Sequence, residues 1–134
     1  MADLLERVSE AVASQPFMAT LGVTVAHAAP GEVDLELPFD ERFTQQHGFL
    51  HAGAVAAVLD SACGYAAYST ADDEVDVLTV EYKINLLEPA TGDWVLAQGR
   101  VVRRGGRLTV CHGEAYADEK LVATSTTTMA VRPR

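Results

Sequence analysis

A chain of 134 residues, 49% hydrophobic and 22% charged, holds one globular domain with a sizeable core; it is too short for two ordinary domains and too apolar for a disordered segment. Ten Lys and Arg against 19 Asp and Glu leave a net charge of −9, which argues against nucleic acid or an anionic membrane as the main target. The longest nearly apolar stretch, Ala52 to Ala67, is interrupted by Asp60 and falls short of the roughly 20 residues that a bilayer span needs. The start, MADLLERVSE, carries acids where a secretory signal would be basic and then apolar, so a cytoplasmic location is expected. Cys63 and Cys111 show no CxxC spacing and read as core thiols. His27, His47, His51 and His112 form no ligand pattern, and neither a metal nor a cofactor is expected.

Residues 3–14 read as an amphipathic helix, with Leu4, Leu5, Val8, Ala11 and Val12 at helical spacing and Pro16 as its stop. Val23–Ala28 and Glu32–Pro38 alternate and flank Pro30-Gly31, as a hairpin does. Residues 39–50 look irregular. His51 to Thr70 is Ala-rich, too long for a strand and apolar on every face, the mark of a buried helix. An acidic loop, Asp72–Asp76, precedes four strands at Val77–Leu87, Asp93–Arg104, Arg107–Asp118 and Lys120–Arg132, punctuated by Pro89–Gly92, Gly105-Gly106 and Asp118-Glu119. The expected architecture is α+β: two early strands, a buried helix laid on one sheet face, and a four-strand antiparallel meander. A helix apolar all round also needs cover on its far side. The short N-terminal helix is too small for that, so a second copy of the chain is expected, with the two sheets joined edge to edge.

Asp60 stands out chemically. An ionised carboxylate in the middle of such a helix is costly to bury without partners, and its pKa rises towards the range of a general base. The competing reading is a structural hydrogen bond to a neighbouring loop. The helix start is the second feature: the N–H groups around His51, Ala52 and Gly53 lack intrahelical partners, and the small Ala52 and Gly53 let a substrate approach the backbone. One such donor aimed at an oxyanion is worth roughly 3–4 kcal/mol of barrier. Asp60 lies eight residues beyond Ala52, about 12 Å along the axis, so the two cannot act on one carbonyl within one chain. Two antiparallel copies of the helix would bring Asp60 of one to Ala52 of the other. The site is therefore expected to be composite. Arg100, Arg103, Arg104 and Arg107 add a local charge of +4 within eight residues on a chain that is otherwise −13, which suits a small anionic ligand or, equally, a solvated hairpin turn.

The segment Gln45-Gln-His-Gly-Phe-Leu-His51-Ala-Gly-Ala-Val-Ala-Ala-Val-Leu-Asp60 resembles the signature of the hotdog-fold acyl-CoA thioesterases of the phenylacetate-degradation (PaaI-like) subgroup. There an Asn or Gln stands six residues before a His-Gly-Gly, and an Asp or Glu follows nine residues after that His. The likeness extends to Phe17-Met-Ala-Thr-Leu-Gly22, to Pro89 and to Leu121-Val-Ala-Thr-Ser-Thr-Thr127, and so covers nearly the whole chain. It implies a hotdog fold: a long central helix wrapped by an antiparallel sheet of five to six strands, plus a short N-terminal helix. It also implies roles. Asp60 would be the general base or nucleophile, the Ala52 N–H the oxyanion donor, and Gln45 the group that orients the thioester or water, with His51 supporting the start of the helix. Thr79 would hold the lytic water; in some members a hydroxyl four residues after the acid does this, but that position here is Gly64. Ala52 replaces a family glycine and keeps the donor if its φ is negative. Arg103, Arg104 and Arg107 would contact the coenzyme A phosphates.

A thioester's leaving thiol, with a pKa of about 8.5, departs as thiolate with little acid help, so one carboxylate, one oxyanion donor and a water suffice. Water attack and an anhydride route use the same residues. The acyl group, aryl or medium-chain, would enter an apolar pocket lined by residues such as Phe49, Leu59 and Tyr65. A homodimer is the minimum assembly, and the resemblance implies a homotetramer. The alternatives are a hotdog enoyl-CoA hydratase or dehydratase using His51 with Asp60, and a non-catalytic acyl-CoA-binding protein.

Overall fold

The computed structural model describes residues 3–72 and 74–134; Asp73, in the expected acidic loop, lies outside them. Helix α1 (Leu4–Ser14) starts where the Asp3 carboxylate accepts from the Glu6 N–H. Val8 and Val12 are buried, but Leu5 is 45% exposed, so the buried stripe is narrower than the sequence spacing suggests. Pro16 does stop α1. It also opens a second short helix, α2 (Pro16–Leu21), because its fixed φ suits a first helical position where no N–H is required.

Strands β1 (Thr24–Ala29) and β2 (Glu32–Pro38) form the expected hairpin, and a 3-10 turn at Glu41–Phe43 breaks the irregular stretch after it. Helix α3 spans Ala52–Tyr68. It ends before the expected Thr70 because the Ser69 and Thr70 hydroxyls turn back to donate to the Ala66 and Ala67 carbonyls. The same Ser69 hydroxyl accepts from the Gly31 N–H at 2.8 Å, tying the end of α3 to the β1–β2 turn.

Four strands follow: β3 (Val75–Leu86), β4 (Trp94–Arg104), β5 (Leu108–Ala117) and β6 (Lys120–Pro133). They do not make a four-strand meander. The sheet is antiparallel with order β1-β2-β4-β5-β6-β3, so only β4, β5 and β6 run as neighbours in sequence, β2 pairs with β4, and β3 sits beyond β6 at the far edge. Alternation identifies a strand but not its neighbour. Here α3 crosses the sheet between β2 and β3 and carries β3 to the opposite edge. The fold is the hotdog fold: six antiparallel strands curved around one central helix. Between β5 and β6, Asp118 and Glu119 hold φ of 50° and 63°, as a two-residue hairpin turn demands.

The core lies between α3 and the concave sheet face, where Val55, Val58 and Leu59 of the helix meet Val33, Leu35, Leu37 and Val95. Cys63 and Cys111 are fully buried there, and burial pushes their thiols up to about 11 and about 12. The outer edge of β3 has no partner strand among the described residues, and Leu78, Val80, Tyr82 and Leu86 are each about half exposed on it. Among the described residues no helix is long and apolar enough to cross a membrane.

Gly99 sets how closely α3 approaches the sheet. A β-carbon there would stand 2.3 Å from the Ala62 carbonyl oxygen, against backbone that cannot swing aside. Gly99→Ala should therefore destabilise the fold by about 3 kcal/mol, read as a lowered urea midpoint at unchanged m-value. Full stability in that variant would show that the helix rides free of β4.

Candidate active site

The loop before α3 is organised by Gln45. Its N–H donates to the Phe49 carbonyl at 2.9 Å, and its side-chain oxygen accepts from the N–H groups of His47 (2.6 Å) and Phe49 (3.3 Å). Both bonds use Oε1, so the amide NH2 is left as a donor. Gln45 and Ala52 line one cavity of about 380 Å³ with Phe49, Leu86 and Pro89.

His51 caps α3 from an extended backbone (φ −60°, ψ 139°). Its Nδ1 accepts from the Gly53 N–H at 2.7 Å, which puts the ring proton of the neutral form on Nε2. Its carbonyl accepts from the Ala54 and Val55 N–H groups. The Ala52 N–H is left without a partner among the described residues, at the positive end of the helix dipole. Ala52 is helical, and Asp118 and Glu119 are the non-glycine residues with positive φ among those described, so alanine keeps the donor without strain. The glycine that matters is the next one: a β-carbon at Gly53 would come within 3.0 Å of the His51 Nδ1 that caps it.

Asp60 sits two turns further along α3 and opens onto a different cavity, about 540 Å³, that it shares with Thr79. The Thr79 hydroxyl donates to Asp60 Oδ1 at 2.7 Å and lies 3.3 Å from Met129 Sδ. Burial lifts the Asp60 pKa above the ordinary carboxylate value of 3.8, and the Thr79 hydrogen bond opposes the rise. Thr79 on β3, where the hydroxyl was expected, reaches the acid. One chain thus holds two separate groups of candidate residues: Gln45, His51, Ala52 and Gly53 at the helix start, and Asp60 with Thr79 about 12 Å along it.

The arginines divide. Arg104 donates to the Thr70 carbonyl in the loop that follows α3, and Arg100 pairs with Asp34 at 2.6 Å. Neither Arg103 nor Arg107 lines the Asp60 cavity, although Arg107 lines a neighbouring one together with Arg132. Arg132 and Arg134 do line it, and neither was singled out from sequence; they lie at the end of β6, and its pairing with β3 brings them to the rim of the Asp60 cavity. Within one chain the expected pocket of Phe49, Leu59 and Tyr65 is not one place. Leu59 is fully buried in the core, while Phe49 and Tyr65 line different cavities.

Residues 47–124, more than half of the chain, match the family model of the thioesterase superfamily. The chain belongs to that superfamily. This thioesterase-superfamily member is 46% identical to a thioesterase family protein from Silicibacter pomeroyi, whose crystal structure superposes with a TM-score of 0.94 over 98% of this chain and 100% of that one. It is 38% identical over 104 residues to a Saccharolobus solfataricus protein provisionally named as an esterase, covering 77% of this chain and 74% of that protein. Human acyl-coenzyme A thioesterase 13 is 29% identical over 107 residues, covering 78% of this chain and 76% of that protein.

Two stability measurements probe these two groups. His51→Ala leaves the Gly53 N–H uncapped and should cost about 1 kcal/mol, most of which His51→Asn, a good cap, should restore. Asp60→Asn removes a carboxylate that folding desolvates while keeping an oxygen for Thr79. The folded protein holds the Asp60 proton more tightly than the unfolded one, so the charge lowers stability once pH exceeds 3.8 and does so in full above the raised value. The variant should be more stable than wild type at pH 7, and the gap should close as pH falls towards 3.8. A gap that persists or widens at low pH would contradict the desolvated carboxylate.

Proposed function

We propose that this chain hydrolyses aryl- or medium-chain acyl-CoA thioesters to the free acid and coenzyme A, as a member of the PaaI-like subgroup. The observation that carries the reading is the pairing of a half-buried, Thr79-held carboxylate with an unpartnered helix-start amide, in two cavities that a single chain cannot bring together. The exposed edge of β3, with its apolar Leu78, Val80 and Tyr82, supports a two-fold pairing of sheets edge to edge, which lays two α3 helices side by side. Each Asp60 then faces the Ala52 end of the other chain. Pairing of two such dimers gives the homotetramer. The likeness to human acyl-coenzyme A thioesterase 13 supports the coenzyme A ester as substrate.

In that composite site the thioester oxygen accepts from the Ala52 N–H, and the Gln45 NH2 steadies the thioester or the water. Asp60 takes a proton from the attacking water, held beside Thr79, or itself attacks the carbonyl carbon. Either route needs the ionised carboxylate. The tetrahedral oxyanion collapses and the C–S bond breaks; in the water route the thiolate takes up the proton held on Asp60, and in the direct route water then cleaves the anhydride left on Asp60, which frees the acid and the carboxylate and supplies the thiolate's proton. Arg103, Arg107 and Arg132, which form no ion pair among the described residues, hold the coenzyme A phosphates.

Asp60→Asn should lower thiol release by at least about 100-fold, and wild-type kcat/KM should fall on the acid side with an apparent pKa above 3.8. Ala52→Pro tests the donor. Proline is accepted at a first helical position, His51 already has the extended backbone that precedes proline, and the substitution removes only the N–H. Ala52→Pro and Asp60→Asn should each be inactive alone. Mixed by refolding together, they should regain about a quarter of wild-type activity, because half the dimers are then mixed and each mixed dimer has one intact site. No recovery in verified mixed dimers would refute the shared site.

A further inference from the structure

The Asp60 cavity continues past the groups that hydrolysis uses. It is a trough along α3, with the concave face of β3 as its floor and the end of α1 as its wall. Gly64, one turn after Asp60, leaves it open: a β-carbon there would meet only the Met129 methyl, at 3.9 Å. Tyr65 stands about 7.5 Å beyond Asp60 along the helix axis. Its hydroxyl donates to the Ala11 carbonyl at 3.1 Å and receives the Gln15 Nε2 at 3.0 Å.

Those two bonds fix a polarity. The phenol has one proton, and Ala11 takes it, so Tyr65 accepts from Gln15 and turns the amide NH2 inward. The Gln15 oxygen is then an acceptor with no partner among the described residues, on a half-buried side chain lining the trough. Gln15 occupies the break between α1 and α2, yet its side chain caps neither helix; only its backbone bonds to them, the N–H donating to the Val12 carbonyl and the carbonyl accepting from the Ala19 N–H. Burial raises the Tyr65 pKa, which keeps the phenol neutral and the arrangement intact. A half-buried acceptor held in place by a second side chain, with no local duty, is what a substrate donor requires.

We propose that Gln15, oriented by Tyr65, is a specificity-determining residue that accepts a hydrogen bond from a neutral N–H or O–H donor on the thioester, about one and a half helical turns from the scissile carbonyl. This deepens the thioesterase reading and rests on it. The donor has two chemical sources: a hydroxyl near the far end of the acyl group, or an amide of the pantetheine arm.

The test is a selectivity ratio read in two arms. The first compares kcat/KM for hydroxylated and unsubstituted acyl-CoA esters of equal length. The second compares CoA esters with thioesters of a simple alkanethiol that lacks amides. Wild type should favour the donor-bearing ester about tenfold in one arm beyond its intrinsic reactivity, and Gln15→Met, of matching length, should erase that factor in the same arm. Tyr65→Phe keeps the ring but frees the Gln15 amide, and should weaken the same preference. The arm that responds names the source. Thiol release from the esters with neither arm responding to Gln15→Met overturns the assignment and leaves the thioesterase reading standing. No thiol release from any ester overturns both. Unchanged ratios in Tyr65→Phe also overturn it, and that variant stands in if Gln15→Met does not fold.

Discussion

A helix is a rigid rod, and in this chain its two chemically useful points are fixed about 12 Å apart. The unpartnered amide of Ala52 can exist only at the first turn, because every later N–H is consumed by a carbonyl four residues back. Asp60 is half-buried in mid-helix, where the packing of α3 against β3 and the Thr79 hydroxyl keep bulk water partly away. No rotamer closes that gap. The separation of the two cavities follows from helix geometry, and under the proposed chemistry a second helix running the other way is what joins them.

The sheet serves the same end from below. Gly99 lets α3 lie almost on the backbone of β4, so neither the axial position nor the rotation of the helix is free to drift. The displacement of β3 to the sheet edge then has two consequences. Its concave face delivers Thr79 to Asp60, and its outer edge remains available to another strand. Had β3 paired with β4, as a simple meander would have it, Thr79 would sit in the middle of the sheet and the acid would face no edge. The strand that tunes the carboxylate and the strand that offers the seam are thus the same strand. At the other end of α3, the His51 cap satisfies Gly53 and leaves its neighbour's amide open, a division that needs a histidine without a side chain two residues later.

Much of this was legible in the sequence, for local reasons. The all-round apolarity of His51–Thr70 identified α3, alternation located the six strands to within a few residues, and an acid in an alanine-rich helix marked Asp60. What was not legible depends on contacts between distant segments. Pro16 reads as a stop because nothing local announces that a new helix begins with it. The β3–β6 register, which places β3 with Thr79 at the sheet edge and brings Arg132 to the rim of the same cavity, is set by the path of α3 over the sheet and leaves no mark in the strand's own residues. Leu59 looked like a pocket residue but points into the core, since apolarity does not distinguish the two faces of a helix buried all round. Arg104 looked like a phosphate ligand, and the Thr70 carbonyl just past α3 takes its guanidinium instead. Gln15 carried no signal; its importance rests on a hydrogen bond to a residue fifty positions away.

Under the proposed chemistry the sparse site also makes electrostatic sense. The chain carries −9, so an anionic substrate meets overall repulsion, but at physiological salt charges more than about 8 Å apart in solvent are largely screened. The local field decides, and Arg107 and Arg132, neighbours in a single shallow cavity at the end of β6, supply cations close to the mouth of the Asp60 trough. Within the trough the balance reverses: among the described residues no cation is bonded to Asp60, its hydrogen-bond partner is the neutral Thr79, and burial therefore keeps its proton affinity high. A guanidinium brought against Asp60 would hold the carboxylate ionised but weaken it as a base. Keeping the arginines at the rim and a hydroxyl at the acid separates attraction of the substrate from basicity at the reacting carbon, and that separation is what allows a single carboxylate to serve a leaving group as good as a thiolate.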